Sequence, residues 1–107
     1  MDNSTKTNII KGTELKLALN ISDIGKYVLE DLNFHIIAYT NQKKKFTIEK
    51  KDCIHVNDSC YLILIDTSIY DIGNLILDVF LDVLDDDFED GIRTEVYRIK
   101  TDIKIIL

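Results

Sequence analysis

The sequence predicts an all-β domain, an antiparallel β-sandwich of about seven strands, from three observations. The first is the stretch 75–85, in which Leu75, Leu77, Val79, Leu81 and Val83 fall on alternate positions. Between them stand Ile76, Asp78, Phe80, Asp82 and Leu84. Successive side chains of a strand point to opposite faces, so one face is wholly aliphatic and the other mixed. The second is punctuation: turn signals at Gly25, Asn41–Lys45, Asn57–Ser59, Gly73–Asn74 and Asp90–Gly91 separate the apolar segments, with no long helix among them. The third is composition, with abundant isoleucine, scarce alanine and no proline or tryptophan, which favours sheet over helix bundle.

The stretch 75–85 also has a helical reading. On a helix Asp78, Asp82, Asp85 and Asp86 would share a face, and short apolar runs are ambiguous by period alone. The flanking glycine turns and the β-branched return Ile92–Ile99 favour the hairpin. In chain order, residues 1–11 are mostly polar and small and read as a flexible arm. Thr13–Asn20 alternates cleanly and reads as a half-exposed strand. Gly25 supplies a turn within Ile21–Lys26, and Asp31–Thr40 is the next strand. Asn41–Lys45 is a basic turn, Phe46–Lys50 a short strand, and Cys53–Val56 either its continuation or a separate one. Cys60–Asp66 is nearly continuous in apolar residues and reads as a strand buried on both sides. After the hairpin, Thr101–Asp102 interrupts the pattern and Ile103–Leu107 resumes it. The residues expected between two sheets are Leu17, Leu19, Phe34, Ile36, Ile48, Leu62, Leu64, Leu77, Val79, Leu81 and Val96.

The two charged loops have a predictable relation. If 46–51 and 53–56 are separate strands, alternating direction puts 41–45 and 85–91 at the same end, where Lys43, Lys44 and Lys45 offset part of the acidic cluster. If 46–56 is one strand, the loops lie at opposite ends. The same-end arrangement is favoured here.

A chain of 107 residues, 46% hydrophobic and 30% charged, supports one domain with a core of its own. The net charge of −6 argues against a duplex-binding face, which needs cations to meet phosphates. Met1–Thr7 has neither a basic start nor an apolar core, and no apolar run approaches membrane-spanning length. The chain is therefore expected in a cytoplasm unless it travels within a larger particle. Cys53 and Cys60 are expected as free thiols, since no Cys-x-x-Cys or His-x-x-x-His spacing accompanies them. Cys53 and His55 share a strand face, but two further zinc ligands are not visible.

No nucleophile is paired with a base at a recognisable distance, and the glycines Gly12, Gly25, Gly73 and Gly91 are scattered rather than gathered in a phosphate loop. The chain is expected not to be an enzyme and to need no cofactor. Asp82, Asp85, Asp86, Asp87, Glu89 and Asp90 form an acidic cluster with no cation between them. Asp85, Asp87 and Glu89 alternate as calcium ligands do. However, Asp90 stands where an EF-hand needs glycine, and Val96 where it needs the bidentate glutamate. A solvated loop is the favoured reading. Tyr27, Tyr70 and Phe88 are the candidate loop aromatics for a sugar-binding alternative.

The segment Asp85-Asp-Asp-Phe-Glu-Asp-Gly-Ile-Arg-Thr-Glu-Val96 resembles a motif of small Ig-like β-sandwich proteins of phages that infect Bacteroidetes hosts, the crAss-like phages among them. Tyr61, Ile65-Asp66-Thr67-Ser68, Gly73 and Leu75 are similar to the same pattern, as is Asp31-Leu-Asn-Phe34. The likeness runs from about Gly12 to Ile106, and the usual proline near the acidic loop is absent. The resemblance implies a single Ig-like domain over 12–107 behind the arm 1–11. It also implies a non-enzymatic virion component assembled in the host cytoplasm, with the auxiliary capsid protein as the first expectation. In that role many copies would dock on the major capsid protein or other virion proteins, with no nucleic acid or membrane partner and with the arm as a second attachment. Lys43, Lys44, Lys45, Asp86, Asp87 and Phe88 are the candidate contact residues. A fibre-base or baseplate adaptor and a carbohydrate- or cell-surface-binding module are the alternatives.

Overall fold

Strands form wherever the alternation runs. The computed structural model describes residues 7–107 and contains β1 (Thr7–Ile10), β2 (Glu14–Asn20), β3 (Asn33–Asn41), β4 (Lys44–Glu49), β5 (Ile54–Asn57), β6 (Cys60–Asp66), β7 (Gly73–Leu84) and β8 (Ile92–Ile106). They build two sheets, one in the order β1-β8-β7-β3-β4 and one in the order β2-β6-β5. All neighbours are antiparallel except β1, which runs parallel to β8. The expected β-sandwich is thus the observed fold, with eight strands among the described residues in place of about seven.

The aliphatic row of β7 is the floor of the core: Leu75, Leu77, Val79, Leu81 and Val83 are all buried. Directly opposed residues point to the same face, so Phe34, Ile36 and Ala38 of β3 continue the row sideways, against Leu81, Val79 and Leu77. The smaller sheet covers it with Tyr61, Ile63 and Ile65 of β6 and Leu19 of β2. Phe34 and Tyr61 meet edge to face across the two sheets, with centroids 5.2 Å apart.

The crossings between sheets are held by polar groups. Lys50 lies in a 3₁₀ turn (Lys50–Asp52), and its ammonium donates to the carbonyls of Glu30 (2.8 Å) and Leu32 (2.6 Å). Those carbonyls lie within and just after the turn Leu29–Asp31, whose Leu29 is buried. Thr67 is buried in a third such turn (Thr67–Ile69); its hydroxyl donates to the Thr13 carbonyl at 2.7 Å and accepts from the Gly12 amide at 2.9 Å. That pair ties the start of β2 to the end of β6.

Several expectations change. Residues 1–6 of the expected arm lie outside the described residues, but Thr7–Ile10 pair with Ile103–Ile106 of β8 and belong to the sheet. Thr101–Asp102 does not end a strand: β8 runs on, and the register shift falls opposite Asn74–Ile76. Lys44 and Lys45 begin β4 rather than sitting in the turn. Leu64 and Val96 are not between the sheets, being 49% and 54% exposed, and Leu62 is only half-buried, as are Leu17 and Ile48. The error on β6 is one of face. A strand apolar at every position offers two equivalent inward sets, and the set chosen by packing is Tyr61, Ile63 and Ile65.

The loops at 41–43 and 85–91 lie at opposite ends, not the same end. β4 and β7 both run antiparallel to β3 and so run parallel to each other. β5 and β6 come between them in the chain and are antiparallel to one another. One of the two crossings between the sheets therefore does not reverse direction, which breaks the alternation assumed from sequence. β7, with 12 residues, separates the two loops by roughly 36–40 Å at the usual rise of a strand.

Two predictions follow from this packing. Leu81→Ala opens a cavity at a fully buried site and is expected to cost about 2–5 kcal/mol, whereas Leu64→Ala is expected to cost less than about 1 kcal/mol; urea titrations of both measure the difference. Removing residues 1–10 takes away β1 and is expected to lower the urea midpoint relative to the full chain. An unchanged midpoint would mean that β1 adds nothing to the sheet.

Candidate functional site

The acidic loop is closed by its own backbone. The Asp85 amide donates to Gly91 (2.9 Å), the Phe88 amide to Asp85 (3.2 Å) and the Gly91 amide to Phe88 (2.8 Å). Gly91 sits at φ +75°, where a side chain is strained. Two of its carboxylates, Asp85 and Asp90, bond to the loop and to the start of β8. Asp85 accepts the Asp87 amide at 3.1 Å and the Arg93 guanidinium at 3.0 Å, and those two bonds hold its carboxyl below the usual carboxylate range. Asp90 accepts the Ile92 amide. The calcium alternative through Asp85, Asp87 and Glu89 has no assembled ligand set: among the described residues no group of three or more His, Cys, Asp or Glu side chains is placed to hold a metal ion. Asp86, Asp87 and Phe88 remain at the exposed tip of this loop.

The basic residues occupy the other end. Lys44 reaches Asp71 at 3.8 Å, the Asn41 side chain donates to the same carboxylate at 2.7 Å, and the Lys45 ammonium lies 4.9 Å from the Tyr39 ring. The structure therefore does not bring Lys43, Lys44 and Lys45 together with Asp86, Asp87 and Phe88. They form two poles of a molecule 48 Å long.

The outer face of the five-stranded sheet carries a polar network that the sequence reading did not anticipate. Asp78 is buried and stands directly opposite Arg98 on β8. Arg98 donates to its two oxygens at 2.8 and 3.1 Å, and the buried Tyr39 hydroxyl donates to it at 3.0 Å. Arg98 chiefly, and Tyr39 with it, hold the Asp78 carboxyl below its ordinary value against the opposing effect of burial. Beside it His35 and Phe80 stack with ring planes 3° apart at 4.8 Å. Among the described residues no buried polar side-chain atom is left without a hydrogen-bond partner.

The smaller sheet presents the opposite character. Ala18 and Ile54 both stand opposite Leu62, and Lys16 stands opposite Leu64. These side chains share the outer face. Leu64 and Ile54 are 49% and 44% exposed there. A strand that is apolar on both faces is the pattern of one covered on both faces, and the described chain covers only one. The continuous apolar run at 60–65 carries that signal in the sequence.

Cys53 is half-buried, with its thiol toward the Glu49 carbonyl and its pKa raised by burial; Cys60 is buried, and both are free. His55 lies 3.3 Å from Glu30 and stacks edge-on against Tyr61. Of the loop aromatics proposed for sugar contact, Tyr70 is buried and Phe88 is exposed. Residues 23–27 with Val83, Leu84, Arg93 and Glu95 line a cleft of about 160 Å³, well below the size of ordinary ligand pockets. Comparison with known protein families, curated proteins and solved structures finds no match to this chain.

The Asp78 network yields a test. Asp78→Ala leaves the buried Tyr39 hydroxyl without its acceptor and is expected to cost about 1–3 kcal/mol, and adding Tyr39→Phe to that variant should cost less than Tyr39→Phe alone. Because the folded carboxyl titrates below the unfolded one, its contribution is complete above the unfolded value near pH 4 and is lost as pH falls through the folded value. The acid limb of stability against pH should therefore be shallower in Asp78→Ala, as read by thermal melts between about pH 2 and 6.

Proposed function

We propose that this chain is a non-enzymatic structural protein that acts by docking in many copies on a phage particle, as an auxiliary capsid protein. The observation that carries the reading is the uncovered apolar face of the smaller sheet, around Leu62, Leu64, Ile54 and Ala18. Apolar surface of this kind is stabilised by removal from water, and a contiguous patch with charged residues at its margin suits a protein surface rather than a small ligand. The sequence likeness at 31–34, 61–75 and 85–96 supplies the class of partner, a virion shell, and a repeating shell turns a modest single contact into firm attachment of many copies. The basic and acidic poles at 43–45 and 85–90 suit neighbours arranged head to tail on such a lattice.

The experiment is co-sedimentation of the purified chain with capsid shells of a crAss-like phage stripped of their accessory proteins. The full chain is expected to pellet with the shells. Leu64→Asp and Ile54→Asp, at sites whose exposure leaves the core untouched, are expected to reduce the pelleted fraction several-fold. Failure of the unaltered chain to bind any particle component removes the docking role, and glycan-array binding in its place would favour the surface-binding module.

A further inference from the structure

The edge of β8 is the feature that neither the fold nor the docking face uses. β8 has 15 residues and is paired along its length with β7 on one side. On the other side β1 pairs only Ile103–Ile106. Among the described residues no strand pairs Ile92–Asp102 on that side. Along an antiparallel strand every second residue turns both its N–H and its C=O away from a given neighbour, so about five residues present unpaired backbone groups along roughly 36 Å of edge. The complement of such a row is another extended backbone. Natural edges are commonly guarded by proline, by charged side chains, by bulges or by brevity. This edge is long and proline-free, its register shift falls beyond Lys100, and its charges are mixed in sign: Arg93, Glu95, Arg98, Lys100 and Asp102.

We propose that the free edge of β8 pairs with the same edge of a second copy, antiparallel, with Thr94 on the two-fold axis. Opposed residues of two identical antiparallel strands point to the same face, which limits the registers to those centred on a residue. Centring on Arg93 or Glu95 sets like charges against each other. Centring on Thr94 sets Arg93 against Glu95 twice, on the side where these two already bond each other within one chain. It sets Ile92 against Val96 twice on the other side, giving an exposed valine an apolar partner. It also carries the acidic loop of each copy alongside Arg98 and Lys100 of the other, so the copies meet through opposite charges despite the net charge of −6. The two five-stranded sheets become one continuous ten-stranded sheet. The inference stands apart from the capsid reading, which concerns the other sheet.

The test uses the full chain. Sedimentation velocity is expected to show mass rising with concentration from 12.4 kDa to twice that value. Val96→Lys places a cation where Ile92 of the second copy should sit, and is expected to weaken association at least tenfold. Its far-ultraviolet circular dichroism should be unchanged, because Val96 is exposed. Thr94→Cys puts two thiols across the axis at a spacing a disulfide spans, and mild oxidation is expected to trap the dimer. Tyr97→Cys, which faces Gly91 in this register, should not be trapped, with the unaltered chain as the baseline for Cys53 and Cys60. A single 12.4 kDa species at millimolar concentration would overturn the proposal. So would a dimer that is indifferent to Val96→Lys and untrapped at position 94. Slow amide exchange in a monomer at the alternate residues of 92–102 whose N–H groups point away from β7 would also overturn it, because the edge would then already be covered.

Discussion

Five aliphatic side chains on one face of one strand set the terms for the rest of the molecule. Leu75, Leu77, Val79, Leu81 and Val83 form an unbroken row that must leave water. β3 and β8 flank the row and widen it. β6 and β2 lie across it, and the turn residues Leu29 and Ile24 plug its margins. The long hairpin β7–β8 makes the fold dependent on contacts distant in sequence, because the strands that cover it precede it in the chain. Loop closure therefore comes before most of the burial.

Polar groups do different work at the two ends and on the outer face. At the end holding 41–44, Asp71 gathers Asn41 and Lys44, and the Thr40 hydroxyl donates to the Asp71 carbonyl, fixing where β7 begins. At the other end Asp85 and Asp90 fold the acidic loop onto itself. On the outer face Asp78 is buried because Arg98 and Tyr39 together satisfy it. A buried carboxylate in mid-strand without those partners would not be tolerated. The charge separation along β7 arises from the same topology: one crossing between the sheets that keeps direction puts lysines and aspartates at opposite poles.

Among the described residues the two sheets are unequal, five strands against three, and the inequality leaves surfaces that those residues do not cover. One is the outer face of β6, apolar where a solvent face would ordinarily be polar. The other is the edge of β8 beyond the reach of β1. The first is a matter of side chains and the second of backbone, so they ask for different partners: a protein surface for the face, another strand for the edge.

How much of this was legible in the sequence depended on the range of the signal. Alternation along 14–20, 33–40 and 75–83, together with the turns between them and the β-branched composition, was enough to determine strands, the buried row of β7 and the sandwich class, since one face of each strand is wholly apolar and the other mixed. Where both faces were apolar, as at 60–65, periodicity was silent about which face turned inward, and tertiary packing decided for Tyr61, Ile63 and Ile65. The pairing of Thr7–Ile10 with β8 and the partnership of Asp78 with Arg98 join residues far apart in the chain, and no local pattern encodes them. Strand direction was also beyond a local reading. Alternation along one chain predicts it only while every connection reverses, and a crossing between sheets is under no such constraint.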